Sequence, residues 1–313
     1  MTTYDVAGHE VRTPVEIREA RTWFSTFAVP YTAARDLIAY SGLEPAPLPG
    51  RRALASLGFV RYIDGDLGPY HEFVVALIVR RPGSDDRRDT GAFIHQLPVN
   101  QPFTCAAGRG IWGFPKFVTE IDIDEGRRHD VGTLHVDGAL ALRLSIARGV
   151  PTRVPDTSLD AYSFADGVLR CTPWRLDGSG SRGRPGGVRV ELGTGVIAGE
   201  LRSLGFPRHA LMGGSMRHVR MTFGDATVVE PGAPAAARRN AARPTHCAHL
   251  LHRREDVLGV RMLDRGQLRR AQVAGGRELP RQEREHAGGL EHVLHPINEA
   301  GLPDRRLRAA VCR

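Results

Sequence analysis

Two runs, Leu57–Ile63 (LGFVRYI) and Tyr70–Arg80 (YHEFVVALIVR), are joined by Asp64–Gly68 (DGDLG). Both are rich in β-branched and aromatic residues, and the connection is short, polar and glycine-containing, so the pair reads as a β-hairpin. In the second run a period of two places Tyr70, Glu72, Val74 and Ala76 on one face and His71, Phe73, Val75 and Leu77 on the other. Glu72 therefore shares a face with apolar side chains, although carboxylates are seldom buried without a partner.

The same reading extends outward along the chain. Trp23–Val29, Ala92–Leu97, Ser158–Cys171, Val188–Leu192 and Met216–Phe223 read as further strands, and Val131–Ala147 reads as two strands around the turn Asp137-Gly138. Residues before about Ala20 read as an arm or short strand, and Arg81–Asp89 as a charged loop. The glycine- and serine-rich stretch 177–187 reads as a surface loop. Only Ala33–Tyr40, with Thr32 as N-cap and Gly42 as terminator, reads as a helix, together with a helical turn or loop from Pro102 to Gly108. Many short strands and few helices predict a mainly β (α+β) body, an antiparallel barrel or sandwich.

After Phe223 the character changes. All 20 aromatic residues lie at or before that position and the last 90 residues hold none. Such a segment lacks the apolar side chains that offset ordering entropy. The chain is therefore divided into a body, 1–228, and a tail, 229–313, expected to be disordered or the product of a shifted reading frame. The cluster His246, Cys247, His249 and His252 has metal-ligand residue types without a known zinc spacing, so no metal and no cofactor is expected. Of the net charge of +8, the tail, with 16 arginines and 10 acids, carries +6. The nearly neutral body argues against a nucleic-acid partner. No apolar run approaches the roughly 20 residues of a membrane span. The N-terminus has neither a basic nor an apolar leader region, and four scattered cysteines suggest reduced thiols; both point to the cytoplasm.

Among 43 cationic side chains one is a lysine, Lys116, within Gly108–Phe117 (GRGIWGFPKF). Lysine, unlike arginine, can lose its proton when desolvated and attack a carbonyl. Trp112, Phe114, Pro115 and Phe117 supply apolar neighbours, which disfavour the ammonium and predict a lowered pKa. Pro115 restricts Phe114 to extended backbone, so Lys116 is expected to open a strand running to Ile123.

The run Gly108–Lys116 resembles the lysine motif of the acetoacetate decarboxylase family, whose Schiff-base lysine falls on Lys116. Arg21, opening Arg21–Phe24 (RTWF), resembles the family's active-site arginine. Glu72, closing Gly68–Glu72 (GPYHE), resembles its active-site glutamate. The similarity runs from about Glu16 to about Val229. It implies a closed β-barrel with helical additions, a homo-oligomer, and a carbon-carbon lyase that decarboxylates a small β-keto acid through an imine. Lys116, Glu72 and Arg21 would be catalytic, with Trp112 and Phe114 binding substrate. The chain departs from the family at Gly110, often glutamate, and at Phe117, a second lysine in some members. A further acid of true decarboxylases falls, by ungapped counting, on Leu57. Two alternatives stay open: aldol or dehydration chemistry on the same imine, and a non-catalytic barrel that binds a small carboxylate.

Overall fold

The computed structural model describes residues 1–229 except 85, 87, 88 and 154–156. The expectations for the tail and its histidine cluster lie outside the described residues, as does part of the charged loop before Asp89. An N-terminal hairpin, β1 (Thr2–Val6) and β2 (His9–Thr13), leads into the long strand β3 (Val15–Pro30). Helix α1 (Tyr31–Ile38) and a 3-10 turn follow, ending at Gly42 in the left-handed region (φ 70°). The helix begins at Tyr31 without a side-chain cap, so Thr32 is not the N-cap. The hairpin β4 (Arg52–Gly65) and β5 (Tyr70–Arg80), strand β6 (Thr90–Gln96) and helix α2 (Pro102–Trp112) come next.

A four-stranded sheet is made by β7 (Glu120–Glu125), β8 (His129–Val136), β9 (Ala139–Ala147) and, after the short β10 (Val150–Pro151), β11 (Thr157–Ala165), β12 (Val168–Ser179) and β13 (Arg182–Arg184), by β14 (Val188–Leu192). Helix α3 (Gly195–Ser203), β15 (Met212–Phe223) and β16 (Thr227–Val228) complete the described chain. The expected turn at Asp137-Gly138 is present, with φ values of 52° and 74°. The same dipeptide at Asp166-Gly167 (φ 54° and 73°) splits the expected single strand Ser158–Cys171 into β11 and β12. Part of the expected loop 177–187 extends β12 and forms β13, and α3 was not foreseen.

Seven strands, in the order β15-β3-β4-β5-β6-β11-β12, close on themselves through pairing of β12 with β15. All seams but one are antiparallel. The strands β6 and β11 run parallel, matching Ala161 to Ala92 and Tyr162 to Phe93, so the barrel is mixed and not, as expected, antiparallel throughout. A parallel pair needs a long crossover, and the α2 segment with the four-stranded sheet supplies it.

Two apolar clusters define the two sides of the barrel wall. One gathers a side chain from each of the seven strands, namely Ala20, Tyr62, Tyr70, Ile94, Ala161, Leu176 and Met216, together with Ala107, Ile111 and Trp112 of α2. In a closed sheet the inward faces of all the strands meet in one cluster, which identifies this side as the interior. The other joins outward residues such as Trp23, Phe59, Phe73 and Leu77 to Leu134, Leu142 and Leu144 of the four-stranded sheet and to α1 and α3. Helix α2 thus packs with the interior, while the second sheet covers part of the outer wall.

Candidate active site

Strand register decides which polar side chains enter the barrel. Thr22 lies opposite Val60, and Val60 opposite Glu72; one residue along, Arg21 lies opposite Arg61, and Arg61 opposite His71. Because side chains alternate, the first row faces inward and the second outward. Glu72 is accordingly buried, on the face it shares with Tyr70 and Val74 as the period of two predicts.

Lys116 reaches the same place from the other side. Helix α2 starts at Pro102, where the missing N–H costs nothing, and the Gln101 side chain accepts from the Thr104 N–H. It ends at Gly113, whose φ of 63° a side chain would resist. The chain then folds back, with the Phe114 N–H bonded to the Gly108 carbonyl at 3.0 Å and the Lys116 N–H to the Phe114 carbonyl at 2.7 Å. This tight turn consumes the backbone groups that a strand would need. Lys116 is therefore not in a strand, contrary to expectation, and β7 begins at Glu120.

The Lys116 side chain is 4% exposed and its Nζ stands 2.7 Å from Oε2 of Glu72, itself 7% exposed. Oε1 of Glu72 accepts from the Tyr62 hydroxyl at 2.8 Å. Nζ also donates to Thr104 Oγ1 at 3.4 Å and lies 5.1 Å from the centroid of the Tyr70 ring. Tyr62 and Tyr70 are stacked, centroids 4.1 Å apart. Gly108 leaves room for the lysine stem, since a Cβ there would fall 2.5 Å from Lys116 Cδ and 2.7 Å from Cε.

Burial pushes the Lys116 ammonium toward losing its proton, but the charge of Glu72, with Tyr70 and the hydrogen bond to Glu72, outweighs it and holds the group above the ordinary lysine range. The expectation of a lowered pKa considered apolar neighbours alone and is corrected by the carboxylate. Tyr62 is pushed well up, first by burial and then by the charge of Glu72, so it remains a phenol and a donor. Tyr70 is likewise raised, by burial first.

Arg21 is not beside the amine, which corrects the expected three-residue cluster. Its Nη1 contacts both oxygens of Glu125 on β7, at 3.0 and 2.9 Å, outside the barrel. Arg61 bonds the same carboxylate and the Ile123 carbonyl, and His71 faces the Ile121 carbonyl at 3.1 Å. These groups clamp the barrel wall to the covering sheet. Register irregularities at Glu19, just before Arg21, decide which residues of β3 point inward. Leu57 is also on the outer face, among Phe59 and Phe73, so it is not the residue that meets Glu72. That residue is Tyr62.

Trp112 and Phe114 are both buried in the interior cluster, stacked with centroids 5.7 Å apart. The Trp112 indole donates to the Gly224 carbonyl at 2.8 Å, anchoring α2 to the end of β15. Sequence reasoning missed Tyr62, Thr104 and Gly108. The available signal for Tyr62 was its parity with Val60 on a strand already paired to Glu72. Outside the barrel, Glu120, Asp122 and His135 bring ligand-type atoms within 4.8 Å of one another on β7 and β8, with both carboxylates exposed. Cys105 and Cys171 are free thiols, and no helix among the described residues is long and apolar enough to cross a membrane.

Residues 7–231 match the family described as acetoacetate decarboxylase (ADC). Acetoacetate decarboxylase 1 of Bradyrhizobium diazoefficiens is 27% identical over 149 residues, which are 47% of this chain and 57% of that one. Acetoacetate decarboxylase 3 of Mesorhizobium japonicum is 29% identical over 113 residues, 36% of this chain and 41% of that one. The matches thus span less than two thirds of either curated relative. In fold, the chain is similar to acetoacetate decarboxylase from Legionella pneumophila (17% identity, TM-score 0.55, covering 72% of this chain and 92% of that one). It is also similar to the enduracididine biosynthesis enzyme MppR complexed with pyruvate (16% identity, TM-score 0.53, covering 71% and 93%).

Proposed function

This chain belongs to the acetoacetate decarboxylase family, and on that premise we propose that it is a Schiff-base enzyme that decarboxylates a small β-keto acid at Lys116. The observation that carries the reading is the buried pair of Lys116 with Glu72 inside the barrel, 2.7 Å apart. A proton passing from Nζ to Oε2 across that contact leaves a neutral amine and a neutral acid without removing charge to water.

The amine then adds to the ketone carbon. The C–N bond forms as the carbonyl π pair moves to oxygen, which takes a proton from the attached nitrogen, and water departs with the proton held by Glu72, leaving a protonated imine. That cation accepts the electron pair of the bond to the carboxylate, so CO2 leaves and an enamine forms. Protonation of the enamine carbon and hydrolysis of the imine restore Lys116. Glu72 is the proton carrier throughout, within hydrogen-bond reach of the amine.

A second reading uses the same imine for aldol or dehydration chemistry. Its support is that the partner on Oε1 of Glu72 is a phenol, not a second carboxylic acid. The structurally similar MppR has also been obtained with the condensation product of pyruvate and imidazole 4-carboxaldehyde. A non-catalytic barrel in which Lys116 only pairs with a carboxylate is the remaining alternative.

The test is reduction with borohydride in the presence of acetoacetate. With one lysine in the chain, intact mass reports the adduct once the N-terminal amine is excluded by peptide mass. A stable adduct on Lys116, absent from Lys116→Arg, is expected, because guanidinium keeps its proton. A chain that evolves CO2 from acetoacetate without forming the adduct, or that turns over equally well as Lys116→Arg, would refute imine chemistry. Adduct without CO2 would favour the aldol reading.

A further inference from the structure

Glu72 can serve Lys116 only if its carboxylate is held at one angle. A carboxylate on a flexible two-carbon stem rotates freely, and in an apolar interior any oxygen left without a donor raises the energy of the ionised form. Here each oxygen has its own donor, on opposite sides of the group: Lys116 Nζ on Oε2 and the Tyr62 hydroxyl on Oε1. Tyr62 is itself fixed. Its ring is stacked on Tyr70, and its strand is paired with β5 so that Tyr62 lies opposite Tyr70, two residues from Glu72. The phenol thus approaches Glu72 from a rigid wall, while the amine approaches from the turn after α2.

We propose that Tyr62 is a positioning residue for this site: by donating its phenol proton to Glu72 Oε1 it fixes the carboxylate with Oε2 against Lys116 Nζ, and so governs the pH at which the amine becomes neutral. The inference rests on the Schiff-base reading for its catalytic meaning, but its physical content does not. Around the amine stand Glu72 and Tyr70 of β5, Tyr62 of β4, and Thr104 and Cys105 of α2. Glu72 is the acid among them, and it is the group the phenol holds. Burial pulls the ammonium down and Glu72 pushes it up. Without the phenol, Oε1 keeps no donor and the carboxylate is free to turn about its stem, which weakens its hold on the ammonium and lets Lys116 become neutral at lower pH.

Because the chain has one lysine, protein labelled with 13Cε-lysine gives a single side-chain resonance whose shift follows the charge of Lys116. Titration of wild type, Tyr62→Phe and Glu72→Gln on the full chain is the experiment. Tyr62→Phe keeps the ring and its stack and removes one oxygen; a wild-type-like melting profile verifies the fold, and the folded-state resonance carries the readout in any mixture. The midpoint is expected to fall in Tyr62→Phe by up to about one unit, the shift reached if the whole of the hydrogen bond lost from Glu72 is transmitted to the amine. It should fall further in Glu72→Gln. A midpoint that falls in Glu72→Gln and stays put in Tyr62→Phe overturns the proposal, and so does a midpoint that moves in neither variant. Failure of borohydride trapping in wild type would reject the Schiff-base reading instead, and the titration would still decide the role of Tyr62.

Discussion

Gly108→Ala tests the construction of the site without touching any reactive group. A Cβ at that position would stand 2.5 Å from Lys116 Cδ, 2.7 Å from Cε and 3.2 Å from Cγ, whereas ordinary contact begins at 3.4 Å. The stem must therefore move by about 0.9 Å, from 2.5 to 3.4 Å. It cannot swing freely, because Nζ is held by Glu72 and the backbone is held in the turn after Gly113. Two effects on stability oppose each other. Alanine in a helix interior is favoured over glycine by about 1 kcal/mol, and overpacking a filled interior costs about 1–3 kcal/mol. A net loss of about 0–2 kcal/mol follows, which leaves the protein folded. The effect on chemistry is larger, since displacing a reacting group by about 1 Å can cost about 100-fold. Gly110→Ala is the internal control: the same helix and the same propensity gain, with no atom within 4 Å of the new Cβ. The assay is the rate of borohydride-trapped adduct on Lys116 with acetoacetate, alongside thermal melting. Gly108→Ala should trap on the order of 100-fold more slowly while Gly110→Ala traps like wild type. Equal trapping by Gly108→Ala and wild type would show that the amine does not work from the position it occupies here.

Arg21→Ala should leave the trapping rate within a few-fold of wild type and cost about 1 kcal/mol of stability, because its partner Glu125 lies outside the barrel and keeps Arg61; a fall of 100-fold or more would mean that Arg21 enters the barrel during reaction. Asp225 accepts hydrogen bonds from Thr2, Tyr4 and Thr13, fastening the N-terminal hairpin beside the Gly224 carbonyl that holds Trp112. The Thr13 hydrogen bond above all, with those of Thr2 and Tyr4, lowers its pKa against the opposing effect of burial. That contribution is present above the ordinary carboxylate value and is lost as pH falls through the lowered one. The protection of residues 2–13 from hydrogen exchange, taken relative to the intrinsic amide rate, should accordingly fall below about pH 4, and Asp225→Asn should show the lower protection already at neutral pH. Protection that is independent of pH and unchanged in the variant would dismiss the latch.

The sequence by itself determined the β-rich class, the hairpin that carries Glu72 and the face on which Glu72 sits, and it singled out Lys116. These are local matters. A period of two, an Asp-Gly turn and the contrast between one lysine and its arginine background are all written within a few residues of the chain. The tertiary structure decided what period and spacing leave undetermined. The irregularity at Glu19 in β3 exchanges inward for outward, so it is Thr22 and not Arg21 that enters the barrel, and ungapped counting to Leu57 lands on the outer face of β4. The strand that Pro115 suggested is replaced by a turn because the end of α2 uses the same backbone groups. The charge of Lys116 shows the difference most directly. Apolar neighbours in sequence predict a neutral amine, whereas the fold brings a carboxylate from 44 positions earlier in the chain to 2.7 Å. At that separation in a dry interior the attraction between the charges outweighs the cost of burial, and neither the distance nor the dryness is written in the local sequence.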